Sequence, residues 1–220
     1  MTSARRLLTL LAATALAAAT MSPAAANNGR GATHETADVA GQGPEGPVVA
    51  EDGATLRRTP NAIQVRIKMP TPEPGTYAYP DPTEHPTAAP PGHPEVFTLW
   101  AFVFNYPEAC VAGPHDCGMA DLQLVMATDG ADNPGGLAVF GVAGHPVGGP
   151  NLTLSGNISS SHEPFAPIFA PLTNPAGAEV HLAVAPHGGL DPDIMPEQAS
   201  TPAGDLDMWW GAVFFSPDVE

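Results

Sequence analysis

Basic residues are scarce in this chain, and they stop early. The 220 residues include seven lysines and arginines against 23 aspartates and glutamates, which gives a formal net charge of −16 at pH 7. Residues 69–220 contain no lysine or arginine at all. A field of this sign repels polyanions, so we expect no nucleic-acid partner and no attachment to an anionic membrane surface.

Long apolar runs and helical periodicity are also missing. After the N-terminal segment, no stretch reaches the roughly 18 apolar residues of a membrane-spanning helix, so we expect no membrane span. No stretch shows the pattern of an amphipathic helix. Glycine and proline are abundant instead, at 23 and 27 residues, and this composition is typical of short strands joined by turns.

Several patterns that would indicate an enzyme are absent from the sequence. There is no Gly-x-Ser-x-Gly elbow for a nucleophilic serine, and no glycine-rich loop is combined with a lysine for nucleotide phosphates. The absence of a His-x-His pair excludes the copper–zinc dismutase pattern. We therefore predict a non-enzymatic protein without catalytic residues or cofactor, which binds an extracellular ligand or an envelope component or has a structural role.

The first 26 residues are predicted to be a signal peptide of bacterial style. Arg5 and Arg6 form its positive segment, an apolar run of Leu, Ala and Thr follows, and residues 24–26 are small alanines that suit cleavage before Asn27. The adjacent arginines leave the general secretory and the twin-arginine routes both open. We expect the mature protein to be secreted, either extracellular or in the cell envelope.

Residues 27–59 are rich in Gly, Ala, Pro and Glu and carry almost no large apolar side chains. Such a segment cannot bury enough apolar surface to offset the entropy that ordering it would cost. We therefore predict that it is a disordered linker and that the folded domain occupies residues 60–220.

The folded part is predicted to be organised around residues 95–105, EVFTLWAFVFN. The length of this stretch and its β-branched and aromatic content favour a strand that is buried on both faces. Residues 121–128 are compatible with either a strand or a short helix. Further strands are predicted at 63–69, 137–142, 152–158, 180–184 and 208–215. Together they indicate an all-β fold, an antiparallel β-sandwich of about seven or eight strands.

Cys110 and Cys117 are the only cysteines in the chain. In an exported protein, two cysteines that close so short a loop are expected to form a disulfide. The alternative is a metal or redox pair, but the spacing matches neither a CxxC redox motif nor a zinc knuckle. In the chain-entropy model, a loop this short stabilises the fold by roughly 2–2.5 kcal/mol.

A second functional hypothesis is a metal-binding protein or metal-dependent enzyme that holds a divalent ion with histidines and a carboxylate. The candidate ligands are His145, His181, His187 and Asp191. His181 and His187 are six residues apart, so a straight strand would separate them by about 20 Å. They could share one metal only if the chain folds back at Pro186 and the glycines that follow His187.

Three segments give the chain a resemblance to known proteins. In order, they are FNYPEAC with a second cysteine a short loop later, GLAVFGVAGHPVGGPNLTLSG, and NPAGAEVHLAVAPHGGLDPDIMPEQASTP. Together they resemble an uncharacterised family of exported bacterial β-domain proteins over residues 97–201, about half of the chain. The resemblance implies an exported β domain, but it implies no known activity and supplies no catalytic residues.

Overall fold

A computed structural model describes residues 33–41, 46–73, 93–200 and 209–217. The strands of this part are β1 (Thr33–Gly41), β2 (Val48–Thr59), β3 (Ala62–Pro70), β4 (Glu95–Phe104), β5 (Leu137–Val147), β6 (Asn151–Ser159), β7 (Glu179–Gly189) and β8 (Trp210–Phe214). Two short helices, α1 (Met119–Ala127) and α2 (Met195–Gln198), and a 3₁₀ turn at Pro107–Ala109 accompany them. No described helix has the length and apolar content needed to cross a membrane.

All eight described strands belong to one antiparallel sheet, in the order β5-β4-β7-β8-β1-β2-β3-β6. The sheet curls until its edge strands meet, and a Cβ on Gly156 of β6 would lie only 2.8 Å from the Val142 carbonyl oxygen of β5. Glycine is therefore required for this close approach. The two halves of the nearly closed sheet face each other across the core, as the layers of a sandwich do. The prediction of an all-β antiparallel fold with seven or eight strands is confirmed.

The core lies between the facing halves and receives side chains from every strand. β3 shows the alternation most clearly, since Ile63, Val65, Ile67 and Met69 are buried and the residues between them are exposed. This is the period of two that predicts a half-buried strand. The other predicted strands are present as well, and β5 and β7 continue several residues beyond their predicted ends.

A second apolar layer covers the outside of β4 and β5. It consists of α1, the loop between the two cysteines and the connection from β6 to β7, and it places Leu122 and Val125 of the helix in one cluster with Trp100 and Phe104 of β4. β4 is therefore buried on both faces, as its composition predicts. Residues 121–128, for which the sequence allows a strand or a helix, form most of α1.

The predicted disordered linker at residues 27–59 is wrong over most of its length. β1 and β2 lie within it and pair with each other from Thr33 opposite Arg58 to Ala40 opposite Val48. Few apolar residues are available there, but they occur where the strands point inward, and Val39, Ala54 and Leu56 are fully buried.

Each of β1 and β2 is paired with a strand on both sides, and this cross-strand pairing stabilises a segment that has few large apolar side chains. β1 also pairs with β8, and β2 pairs with β3. The folded domain thus begins no later than Thr33 rather than at residue 60. The predicted signal peptide and residues 27–32 lie outside the described residues.

A buried arginine joins several segments at one end of the sheet. Arg58 of β2 is only 1% exposed. Its guanidinium donates to both carboxylate oxygens of Glu35 on β1, at 2.7 and 3.2 Å. It also donates to the carbonyl oxygen of Ala178, just before β7, and to that of Phe215, just after β8, the latter at 3.0 Å. One side chain thereby links β1 and β2 to the ends of β7 and β8.

Candidate functional site

The two cysteines have a structural role in the second apolar layer. Cys110 and Cys117 form a disulfide, as predicted, with their Cα atoms 5.1 Å apart. Asp121 near the start of α1 accepts the backbone N–H groups of Val111 and Gly118, each at 3.0 Å. These hydrogen bonds attach the loop to the helix at two points. Because both sulfurs are buried and bonded to each other, the pair is not a thiol or metal centre.

His181, the first of the predicted metal ligands on β7, is hydrogen-bonded to a carboxylate. Its Nε2 lies 2.7 Å from Oε1 of Glu179, and its ring meets the edge of Phe104 with 5.1 Å between the ring centres. Both members of the pair are more than nine-tenths buried. Among the described residues, Glu179 Oε2 and His181 Nδ1 find no hydrogen-bond partner. The pair offers two metal-ligating groups.

His187 lies at the opposite end of β7 from His181. The strand does not fold back at Pro186, since it continues to Gly189 and stays paired with β4. His181 is opposite Phe102, whereas Pro186 is opposite Phe97. The strand rise therefore separates the two histidines by about 20 Å, and the condition for a shared metal is not met.

The surroundings of His187 are a buried hydrogen-bond network. Its Nε2 lies 2.9 Å from the Thr98 hydroxyl, which also accepts the indole N–H of Trp100 at 2.9 Å. The side-chain amide of Gln198, on α2, donates to the carbonyl oxygens of His187 and Gly189, both at 2.9 Å. The Gln198 amide thus attaches α2 to the backbone at the end of β7, whereas the His187 imidazole links β7 to Thr98 of β4, which is a structural role for this side chain.

The remaining predicted ligands lie apart from these two. His145 is exposed on β5, opposite Phe97, so β4 separates it from β7. Asp191 lies in the turn after β7, where its Oδ1 accepts the backbone N–H of Asp193 at 3.0 Å. No three or more His, Cys, Asp or Glu side chains of the described residues are grouped to hold a metal ion. The four predicted ligands are not brought together.

The outer surface of the sheet provides a different candidate for the functional site. The outer surface of β4 and β5 is covered, but the side chains that point outward from β1, β2, β3 and β6 are exposed or half-exposed. We call this surface the polar face. It consists of His34, Thr36, Thr55, Arg57, Gln64, Arg66, Lys68, Thr153, Ser155 and Asn157, and it ends at two carboxylates, Asp38 and Asp52, on β1 and β2. The Asp52 carboxylate accepts the Thr36 hydroxyl at 2.8 Å, and the Asp38 carboxylate accepts the backbone N–H of Asp52 at 2.8 Å.

The strand register arranges the polar face in rows across the sheet. One row contains His34, Arg57, Gln64 and Asn157. The next row contains Thr36, Thr55, Arg66 and Ser155. Lys68 opposite Thr153 belongs to a third row. Each full row spans about 15 Å, and neighbouring rows are about 7 Å apart, so the face is wide enough for an extended ligand.

The polar face carries every exposed lysine and arginine of the described residues. These are Arg57, Arg66 and Lys68, whereas Arg58 is buried. None of the three exposed cations forms an ion pair with another described residue. Arg57 instead donates to the side-chain amide oxygen of Gln64 at 3.4 Å. In a chain with 23 acidic residues, three neighbouring cations without a bound carboxylate are a distinct local feature.

The sequence contains only part of the signal for this face. Alternation at 63–69 and 152–158 predicts two wet strand faces, and the first of them carries Arg66 and Lys68. Their assembly into one surface depends on the pairing of β3 with β2 and β6, which the pattern does not specify.

Comparison with known proteins finds no match for the chain among family models, curated proteins or solved structures. The resemblance to exported bacterial β-domain proteins therefore stays a prediction. A fold by itself does not determine function, which depends on the residues of the site.

Proposed function

We propose that the protein is a non-enzymatic binding domain that acts outside the cytoplasm and attaches to an extracellular or envelope component through the polar face. The predicted signal peptide at residues 1–26 and the buried disulfide both support a location in an oxidising compartment. The predicted ligand-binding role needs a surface, and the polar face is the surface that the chemistry of the chain favours.

The observation that carries this proposal is the segregation of charge on the sheet. Solvent exposure of these side chains would not by itself indicate a binding surface, because antiparallel sheets commonly have one solvent-exposed face. The described chain, however, keeps all of its exposed cations on this one face and leaves them without carboxylate partners. Cations that form no ion pair, placed among rows of hydrogen-bonding side chains, are available to a ligand without first breaking an internal ion pair.

The metal hypothesis has less support. The Glu179–His181 pair supplies two groups for a metal ion, whereas structural and catalytic zinc sites use three or four protein ligands. His145, His187 and Asp191 lie elsewhere, so we do not retain them as ligands of one ion.

The proposed function can be tested by attaching a bulky polymer to the polar face so that a ligand cannot reach it. Ser155→Cys places a single reactive thiol on the exposed face of β6, because the native cysteines are bonded to each other. Ala127→Cys does the same on the exposed end of α1, away from the face. Each variant is coupled to a polyethylene glycol maleimide and mixed with insoluble cell-wall material from the producing organism.

We expect the unmodified protein and the Ala127-site conjugate to sediment with the cell walls and the Ser155-site conjugate to stay in the supernatant. Equal sedimentation of the two conjugates would show that the polar face is not the binding surface. Failure of the unmodified protein to sediment would contradict the proposed attachment to envelope material.

A further inference from the structure

The polar face has the chemistry of a site for acidic sugars. We propose that its ligand is a short oligosaccharide that carries carboxylate groups, bound through Arg57, Arg66 and Lys68. This inference rests on the proposed binding function and adds the class of ligand.

The three cations are spaced to meet successive carboxylates. Arg66 and Lys68 point to the same side of β3 and are two residues apart, which places their attachment points about 7 Å from each other. Arg57 is opposite Gln64 and is therefore the diagonal neighbour of Arg66 on the adjoining strand. An arginine guanidinium presents a planar fork of N–H donors that fits a carboxylate with two parallel hydrogen bonds.

The uncharged members of the face suit the hydroxyl groups of sugars. Thr55 and Ser155 flank Arg66 in one row, and Gln64 and Asn157 continue the row of Arg57. Hydroxyl and amide side chains both donate and accept hydrogen bonds, so they match groups that do the same. A ligand lying along these rows would meet hydrogen-bonding groups between the charges.

Other classes of ligand fit this face less well. Its cations and hydrogen-bonding side chains form no apolar centre of the kind that a protein partner needs. It has no Phe, Tyr or Trp, and the single ring of His34 does not form the series of stacking platforms that single-stranded nucleic acid needs. The net charge of −16 opposes long polyanions. A short oligosaccharide with few charges responds mainly to the local cations, because physiological salt screens the field of the remaining protein beyond about 8 Å.

The experiment uses the full-length mature protein and short oligogalacturonate as the probe, in an isothermal titration at physiological salt. The fully methyl-esterified oligomer is the matched ligand, since it keeps the sugar backbone and lacks the charges. We expect the acid to bind and the ester to bind at least about tenfold more weakly, because each exposed charge pair contributes about a two- to five-fold change in affinity.

Protein variants then locate the charges that matter. The double variant Arg66→Gln and Lys68→Gln is expected to weaken binding of the acid by about tenfold. Arg66→Lys alone should cause a smaller loss, since it keeps the charge and removes the fork. Gln123→Glu, on the exposed side of α1, lowers the net charge without touching the face and should leave the affinity unchanged.

Two results would overturn the inference. If acid and ester bind alike and the double variant behaves as the native chain, the ligand is not recognised by its carboxylates, while binding through the face still stands. If neither oligomer binds, the inference also fails, and the sedimentation of the Ser155-site and Ala127-site conjugates decides separately whether the binding function fails with it.

Discussion

Replacing the buried arginine with methionine is the most direct test of how the N-terminal strands are held. Arg58→Met keeps a long side chain and removes every hydrogen bond of the guanidinium. It leaves the Glu35 carboxylate, 12% exposed, with the hydroxyl of Thr33 at 2.9 Å as a remaining donor. It also leaves the carbonyl oxygens of Ala178 and Phe215 without this donor.

The magnitude follows from the burial of the pair. Removing one partner of a buried ion pair costs about 3–5 kcal/mol, because the other charge remains without compensation. Glu35 is slightly exposed and keeps one hydrogen bond, so we expect the lower part of this range, about 3–4 kcal/mol. For a chain of this size, such a loss lowers the melting temperature by roughly 6–16 °C.

The assay is urea and thermal unfolding of the oxidised protein, followed by circular dichroism. Arg57→Met is the matched control: it is the neighbouring residue on the same strand, but its side chain is exposed, so we expect a change within about 0.5 kcal/mol. The combined variant Arg58→Met and Glu35→Leu should be more stable than Arg58→Met alone, because no buried charge is left unpaired. If Arg58→Met loses no more stability than Arg57→Met, the buried pair does not hold these strands.

Four further predictions concern other parts of the chain. Asn105→Asp should lower the free energy of unfolding by about 2–4 kcal/mol, since the buried amide donates to the carbonyl oxygens of Gly136 and Pro171 at 2.7 and 3.0 Å; an unchanged urea midpoint would contradict this. Limited proteolysis should leave a resistant fragment that begins at or before Thr33, and a fragment that begins near residue 60 would instead support a disordered linker at residues 27–59. Sodium chloride at about 1 M should raise the melting temperature, because it screens the repulsion among acidic residues that lack cationic partners; equal melting at low and high salt would show that this repulsion is negligible. Protein incubated with zinc and then desalted should retain well below one equivalent by elemental analysis, and one tightly bound equivalent would revive the metal hypothesis.

Local patterns were sufficient for the strands that form the centre of the domain. β4 combines a short length with large apolar side chains on both sides, and this composition is compatible with few structures other than a doubly buried strand. β3 alternates strictly, so its inward face can be read from the sequence alone. Both features depend on neighbouring residues, which is why they could be predicted.

The N-terminal strands could not be predicted in this way because their stability is not local. Val39, Ala54 and Leu56 bury little surface by themselves and become core residues only when strands from the rest of the chain enclose them. The carbonyl partners of Arg58 lie 120 and 157 residues further along the sequence. An arginine in a polar, glycine-rich segment gives no sign of such contacts, so composition indicated disorder.

The separation of the predicted histidine ligands could not be foreseen for a related reason. Residue types identified His181 and His187 as possible ligands, but only the course of the backbone decides whether two such residues meet. Because β7 remains paired with β4 past Pro186, they stay at opposite ends of one strand. His181 is hydrogen-bonded to Glu179 and His187 to Thr98, so the two histidines belong to separate buried networks.

Core stability and the proposed binding surface depend on the same strand register. Arg57 and Arg58 are neighbours on β2, and successive side chains of a strand point to opposite faces. A slip by one residue would therefore turn Arg58 out of the core and Arg57 into it. In the observed register Glu35 is opposite Leu56 and Arg58 is opposite Thr33, so both charged side chains point into the core and form their ion pair. A slip would break this pair, and the pair therefore opposes the slip. By fixing the register of β2, the buried pair keeps Arg57 on the polar face, although its own side chains point to the opposite side of the sheet. The charge pattern of the polar face therefore depends on an interaction inside the core.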